Sequence, residues 1–185
     1  MSRRRPPLIV AVTGLPGSGK SIVARAIAEE LGVERVVMGD VVRREVERRG
    51  LDPTPENVER VAGELRSRLG RGAVAIILSR ELDKEKSYVL DGLRSVEEAE
   101  VFRREGWRVV VVGVFAPRRA RLERILSRGR LGEHAEEALK VRDESNLRLG
   151  VGEALALADY MIVNVGSLED LVYEAKRLAR VVSCG

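Results

Sequence analysis

The sequence predicts an α/β protein, a parallel five-stranded sheet covered by helices on both faces in three αβα layers. Two observations lead there. Short β-branched runs alternate with segments of helical period along all 185 residues, with no repeat or low-complexity linker between them. One run, Arg108 to Phe115, is apolar almost without interruption, as a strand buried on both faces must be.

The first strand is Leu8-Ile9-Val10-Ala11-Val12. In the helix after it, Ile22, Val23, Ala26, Ile27 and Leu31 share one face, and Gly32 ends it. Arg35-Val36-Val37-Met38 is a short second strand. A helix from Val41 to Arg49 stops at Gly50. Thr54 as N-cap and Pro55 at the first helical position open another, striped with Val58, Val61, Ala62, Leu65 and Leu69. A third spans about Ala73 to Leu82, and Tyr88-Val89-Leu90-Asp91 is the next strand. Ser95-Val96-Glu97-Glu98 is a capping box that starts a helix to about Glu105. After the Arg108 to Phe115 strand, Pro117 opens an arginine-laden helical region reaching about Leu149. A short helix near Glu153 to Ala158 precedes the last strand, Tyr160-Met161-Ile162-Val163. Ser167 caps a final helix with Leu168, Leu171, Val172, Ala175, Leu178, Ala179 and Val182 at helical spacing. One domain over 1–185 is expected, with helical excursions at about 39–75 and 117–149.

Composition narrows the function. At 44% hydrophobic and 34% charged residues the chain reads as soluble and globular. Its apolar runs are too short to span a bilayer, and no signal-peptide pattern follows Met1, so a cytoplasmic location is expected. Cys184 has no disulfide partner, and the single His134 has no metal-ligating companions, which argues against zinc. Arginine supplies 28 of the 33 basic residues and glutamine is absent, a balance that suits a thermophile. The net charge of +4 is modest and aromatics make up only 3%, leaving few platforms for stacked bases. The basicity therefore reads as local phosphate clamps rather than a nucleic-acid surface, and no membrane partner is expected.

Gly14-Leu15-Pro16-Gly17-Ser18-Gly19-Lys20-Ser21 fits G-x-x-x-x-G-K-[ST] at every fixed position, directly after a strand and opening a helix. The glycines let the backbone curl around phosphates, and the amides of Gly17 to Ser21 form a concave anion site at the positive end of the helix. Lys20 supplies a charge to the β- and γ-phosphates, and the Ser21 hydroxyl a ligand for Mg²⁺. The expected ligands are ATP and Mg²⁺. Asp91, ending its strand, either holds Mg²⁺ through water beside Ser21 or serves as an N-cap or turn aspartate before Gly92.

Three segments together resemble the nucleoside monophosphate kinase family of P-loop proteins: Gly14 to Ser21, Met38-Gly39-Asp40-Val41-Val42-Arg43, and Leu90-Asp91-Gly92-Leu93-Arg94-Ser95. In adenylate kinases the second reads T-G-D-x-x-R and the third D-G-F-P-R, and the arginine of each grips the acceptor's phosphate. The resemblance implies strand order 2-3-1-4-5, an acceptor-binding insertion at about 39–75, a lid at about 117–149, and Arg43 and Arg94 as acceptor contacts. Asp40 either orients the acceptor or caps its helix. The tail from Ala158 to Glu169 is similar to the end of dephospho-CoA kinases, whose loop lies against adenine; this implies donor contacts at Asn164 and Gly166. The order of motifs looks closest to an uncharacterised archaeal family related to both. The chain departs from adenylate kinases at Met38, which replaces their threonine, in lacking the proline of the third motif, and in having no glutamine to read adenine.

Arg121, Arg124 and Arg128 lie at i, i+3 and i+7 on one helical face. They resemble the lid arginines that fold over a triphosphate, Arg124 and Arg128 above all; the alternative is a solvated face laced with Glu123, Glu133 and Glu136. Lys20, Asp91, Arg94, Arg124 and Arg128 form the expected catalytic set. The expected activity is phosphoryl transfer from ATP to a small phosphate-bearing acceptor, a nucleoside monophosphate or dephospho-CoA. The competing expectation is an ATP-binding switch or assembly factor with weak hydrolysis and a protein or RNA partner, which the basic arm Ser2-Arg3-Arg4-Arg5 fits.

Overall fold

The computed structural model describes residues 5–127 and 135–184. The arm residues 2–4, together with Arg128, Glu133 and His134, lie outside the described residues. The strands are β1 (Leu8–Thr13), β2 (Glu34–Val37), β3 (Tyr88–Leu93), β4 (Arg108–Phe115) and β5 (Tyr160–Val163). All pair in parallel, in the order β2-β3-β1-β4-β5. The helices are α1 (Lys20–Leu31), α2 (Met38–Arg48), α3 (Pro55–Leu69), α4 (Ala73–Glu81), α5 (Val96–Arg104), α6 (Arg118–Ser127), α7 (Ala135–Leu149), α8 (Val151–Ala156) and α9 (Leu168–Cys184).

β1 shows why the sheet has helices on both sides. Its side chains alternate: Ile9 and Ala11 join the core shared with α2 to α5, while Val10 and Val12 join the core under α1 and α9. All four are fully buried, which is worth about 1.5–3 kcal/mol for each of the larger side chains. In the first core the Phe102 and Trp107 rings meet edge to face, 6.0 Å apart. In the second, Val23 and Ile27 of α1 share their core with Leu171, Ala175 and Ala179 of α9.

Helix starts follow the sequence signals. The Thr54 side chain accepts from the Asn57 amide at α3, and Ser95 accepts from the Glu98 amide at α5. Several boundaries differ from expectation: β3 runs past Asp91 to Leu93, α8 is Val151–Ala156 rather than Glu153–Ala158, and α2 starts before Val41. Met38 is not the end of β2 but the first residue of α2, its side chain 2% exposed in the core. An apolar residue at a strand–helix junction serves either element, so its hydrophobicity says nothing of where the backbone turns.

The connection after β1 runs past β3 to β2 on one side, and the connection after β3 crosses back over β1 to β4 on the other, so the strand order reverses between β1 and β3. The carboxyl ends of strands diverge at such a switch point and leave a crevice. The loops after β1, β3 and β4 all open there.

Candidate functional site

The loop between β1 and α1 uses backbone that favours glycine. Gly17 and Gly19 have φ of 79° and 98°. A Cβ on Gly19 would stand 2.5 Å from Asn164 Nδ2, and one on Gly17 would stand 3.0 Å from the Arg121 carbonyl oxygen. The loop is therefore pressed against its supports with no room for a side chain. α1 begins at Lys20 with no side-chain cap and no acid in its first turn. The Lys20 and Ser21 amides that open the helix have no acceptor within it, and together with the positive end of the dipole they suit an anion. The buried hydroxyls of Thr13 and Ser18 are also without partners among the described residues. A chain of phosphates fits these donors.

Asn164 and two arginines brace the loop from behind. Asn164 Nδ2 donates to the Ser18 carbonyl at 2.8 Å, and its Oδ1 accepts from Arg124 at 3.1 Å. Arg124 also donates to the Asn164 carbonyl at 3.1 Å and to the Gly17 carbonyl at 3.5 Å. Arg121 is 4% exposed and makes a two-pronged bond to Asp143 of α7, at 2.7 and 2.8 Å. It also donates to the carbonyls of Pro16 and Ala116. Helical spacing places Arg121 with Arg124, but the two differ in role: Arg121 is committed to Asp143, because a guanidinium this deep without a partner is strongly unfavourable. Gly166 lies on the exposed loop between β5 and α9.

Asp91 is buried near the carboxyl end of β3. Its Oδ1 accepts from the Ser21 hydroxyl at 3.3 Å, and its Oδ2 lies 3.0 Å from Arg35 Nη1. Carboxylate and hydroxyl oxygens side by side are the hard donors that Mg²⁺ takes. Arg35, which no motif signals, is the cation with which a metal would compete. Lys20 is half-buried beside them. Burial holds its ammonium below the usual lysine range, Asp91 pulls the other way, and the charges of Arg94 and Arg121 add to the lowering.

A cleft of about 710 Å³ opens from this point, with Lys20 in its wall. Arg43 and Arg94 line it, as do Arg66 of α3 and Arg142 of α7. Arg66 has no sequence signal: it follows Leu65 of the apolar stripe and belongs to no motif. The floor is aliphatic, from Met38, Val42, Val58 and Ala62. Asp40 sits in the first turn of α2 and accepts from Arg43 at 2.6 Å, while the cap position belongs to Val37.

The backbone at Arg94 is held through Glu98. The Glu98 amide donates to Ser95 Oγ at 3.3 Å, and Glu98 Oε2 accepts the Arg94 amide at 2.7 Å. The capping box thus reaches one residue further back than its usual partner. Glu98 is 1% exposed. Burial pushes its carboxyl up to about 7, against the pull of the Arg94 amide and the Arg66 and Arg94 charges.

Comparison with known proteins agrees with this architecture. Residues 13–141 match a family model described as an AAA domain. A UPF0200 protein of Aeropyrum pernix is 68% identical over 178 residues, covering 96% of this chain and 95% of its own. A UPF0200 protein of Hyperthermus butylicus is 45% identical over 174 residues, 92% of each chain. Among solved structures, shikimate kinase from Acinetobacter baumannii in complex with shikimate aligns with TM-score 0.59 at 25% identity, over 96% of this chain and 94% of that one. A gluconokinase from Sinorhizobium meliloti aligns with TM-score 0.56 at 21% identity, over 97% and 98%. With its sheet order, its glycine loop and these relatives, the chain belongs to the UPF0200 family of archaeal proteins, on a P-loop kinase fold whose residues 13–141 are those of the AAA domain family.

Proposed function

We propose that this protein is a small-molecule kinase that moves the γ-phosphoryl group of ATP to a phosphate-bearing acceptor, a nucleoside monophosphate or dephospho-CoA. One observation carries the reading: Lys20 belongs both to the glycine loop and to the wall of an arginine-lined cleft. A donor site and an acceptor site therefore share one cation. The structural neighbours named above are themselves kinases of small molecules, which supports the same direction.

Phosphoryl transfer needs positioning and charge neutralisation more than covalent help from the protein. An acceptor oxygen attacks the γ-phosphorus, the bond to the β–γ bridging oxygen breaks, and ADP leaves. The loop amides and Lys20 bind the β- and γ-phosphates. Ser21 and Asp91 would hold Mg²⁺, which supplies neutralisation of the same oxygens. Arg94, its backbone held by Glu98, meets the acceptor's phosphate inside the cleft, and Arg43 meets the acceptor at the exposed mouth once released from Asp40. Arg124 and Asn164 keep the loop in place, and the segment from Asn164 to Gly166 flanks the donor's base. The aliphatic floor limits water at the transfer point, which favours transfer over hydrolysis.

The test is ADP formation from MgATP with a panel of nucleoside monophosphates and dephospho-CoA. Acceptor-dependent turnover is expected, reduced at least 100-fold by Lys20→Ala and by Arg94→Ala. Slow ATP loss indifferent to every acceptor and to Arg94→Ala would sink the proposal and favour an ATP-driven switch.

A further inference from the structure

The acceptor cleft holds more cations than it has acids to balance. Arg66 reaches into it from α3 and Arg94 from the segment after β3. Neither guanidinium makes a hydrogen bond or ion pair among the described residues, in contrast to Arg35, Arg43, Arg121 and Arg124, which are all engaged. Arg66 is half-buried. Burial lowers its pKa, the Arg94 charge adds to the lowering, and Glu98 alone opposes it. Two guanidiniums close enough to disfavour each other, partly withdrawn from water and unpaired, make an unfavourable arrangement. An anion placed between them relieves both the repulsion and the lost hydration.

The shape of the site selects the anion. A guanidinium presents a rigid fork that binds two oxygens at once. Two forks arriving from different elements match a tetrahedral group, with oxygens pointing to both, better than a planar carboxylate, which has one pair of oxygens. Glu98, whose charge acts on both arginines, already gives Oε2 to the Arg94 amide, so it is tied to the backbone and does not close either fork.

We propose that Arg66 and Arg94 together form the inner clamp for a phosphate monoester of the acceptor, with Arg66 a binding residue that no sequence motif reveals. The inference rests on the reading of the cleft as the acceptor site and, within it, on a nucleoside monophosphate, since dephospho-CoA carries a diphosphate diester and no monoester. It adds that the acceptor keeps a phosphate deep in the cleft, between α3 and the segment after β3, beyond the mouth where Arg43 pairs with Asp40.

The experiment uses the full chain with its donor loop filled by Mg²⁺ and the β,γ-imido analogue of ATP, and titrates inorganic phosphate by calorimetry. Wild type is expected to bind phosphate saturably, and acetate at least tenfold more weakly. Arg66→Met should weaken phosphate at least tenfold while leaving the analogue's affinity within twofold. Arg68→Met, which removes the same charge from an exposed position of the same helix, should stay within twofold. Arg66→Lys keeps the charge without the fork and should lose several-fold. The inference is overturned by a wild type that does not bind phosphate, by acetate binding as well as phosphate, by equal losses in the Arg66 and Arg68 variants, or by unchanged affinity in Arg66→Met. Should Arg66→Met fail to fold, wild-type affinity in Arg66→Lys overturns it. The kinase reading fails separately: phosphate bound through Arg66 without turnover of any acceptor would leave the clamp standing and remove the kinase.

Discussion

Glu98 shows how one buried residue ties the site to the stability of the fold. Its carboxyl accepts the Arg94 amide at 2.7 Å while being 1% exposed. Burial, the largest influence on it, raises its pKa from 4.5 to about 7. Between those pH values the folded chain holds a proton that the unfolded chain has released. The contribution of this group is thus neutral below pH 4.5, turns against the folded state as pH rises through that window, and reaches its full cost above 7. At ~1.4 kcal/mol per pH unit the loss is about 3 kcal/mol. Glu98→Gln keeps an oxygen for the Arg94 amide and has no proton to lose. Urea unfolding at pH 4.5 and pH 8 should therefore show a fall in stability for wild type that exceeds the variant's by about 3 kcal/mol. Parallel pH profiles for the two proteins would contradict the assignment. The sequence shows Glu98 as a capping residue, and so it is. Its burial between two arginines is not written there, because Arg66 comes from a helix 32 positions earlier in the chain.

At the scale of elements, the arginine helix α6 is tied down by α7 and the glycine loop together. Arg121 joins α6 to Asp143 of α7 and to the Pro16 carbonyl, and a Cβ on Gly17 would stand 3.1 Å from its own Cβ. Removing one partner of such a pair leaves a buried charge alone. Arg121→Ala should cost about 3–5 kcal/mol in denaturant unfolding, whereas Arg121→Met with Asp143→Leu should cost far less, because no charge is stranded. A loss below 1 kcal/mol for Arg121→Ala would show that the pair is solvated. Helical spacing correctly places Arg121 and Arg124 on one side of α6, but spacing does not say which arginine meets an acid 22 residues away. Elements that are defined locally are legible. β4 and β5 have the bounds their β-branched runs suggest, and α3 and α5 start where Thr54 and Ser95 cap them. The β2–α2 junction is not, since Met38 is apolar in either element.

For the whole molecule, the alternation of strands and helices and the loop Gly14 to Ser21 make the sheet and one half of the site legible. The other half depends on which side chains meet across the switch point. Lys20, Arg43, Arg66, Arg94 and Arg142 come from five different elements or connections and converge on one cleft of about 710 Å³. Their mutual repulsion costs the folded state, which should gain from any polyanion that fits. A ligand bound only by the folded chain and present at 100 times its dissociation constant stabilises by about 2.7 kcal/mol. For a chain of this size that corresponds to a rise in Tm of roughly 5–10 °C. The β,γ-imido analogue of ATP with Mg²⁺ should produce this rise in wild type. Lys20→Ala should abolish most of it, because the loop loses the one cation shared with the cleft. Sodium chloride at matched ionic strength should not reproduce the rise, since screening relieves the repulsion without filling the loop. An equal shift from salt, or an undiminished shift in Lys20→Ala, would mean that the arginines respond to ionic strength alone and that the loop does not hold the triphosphate.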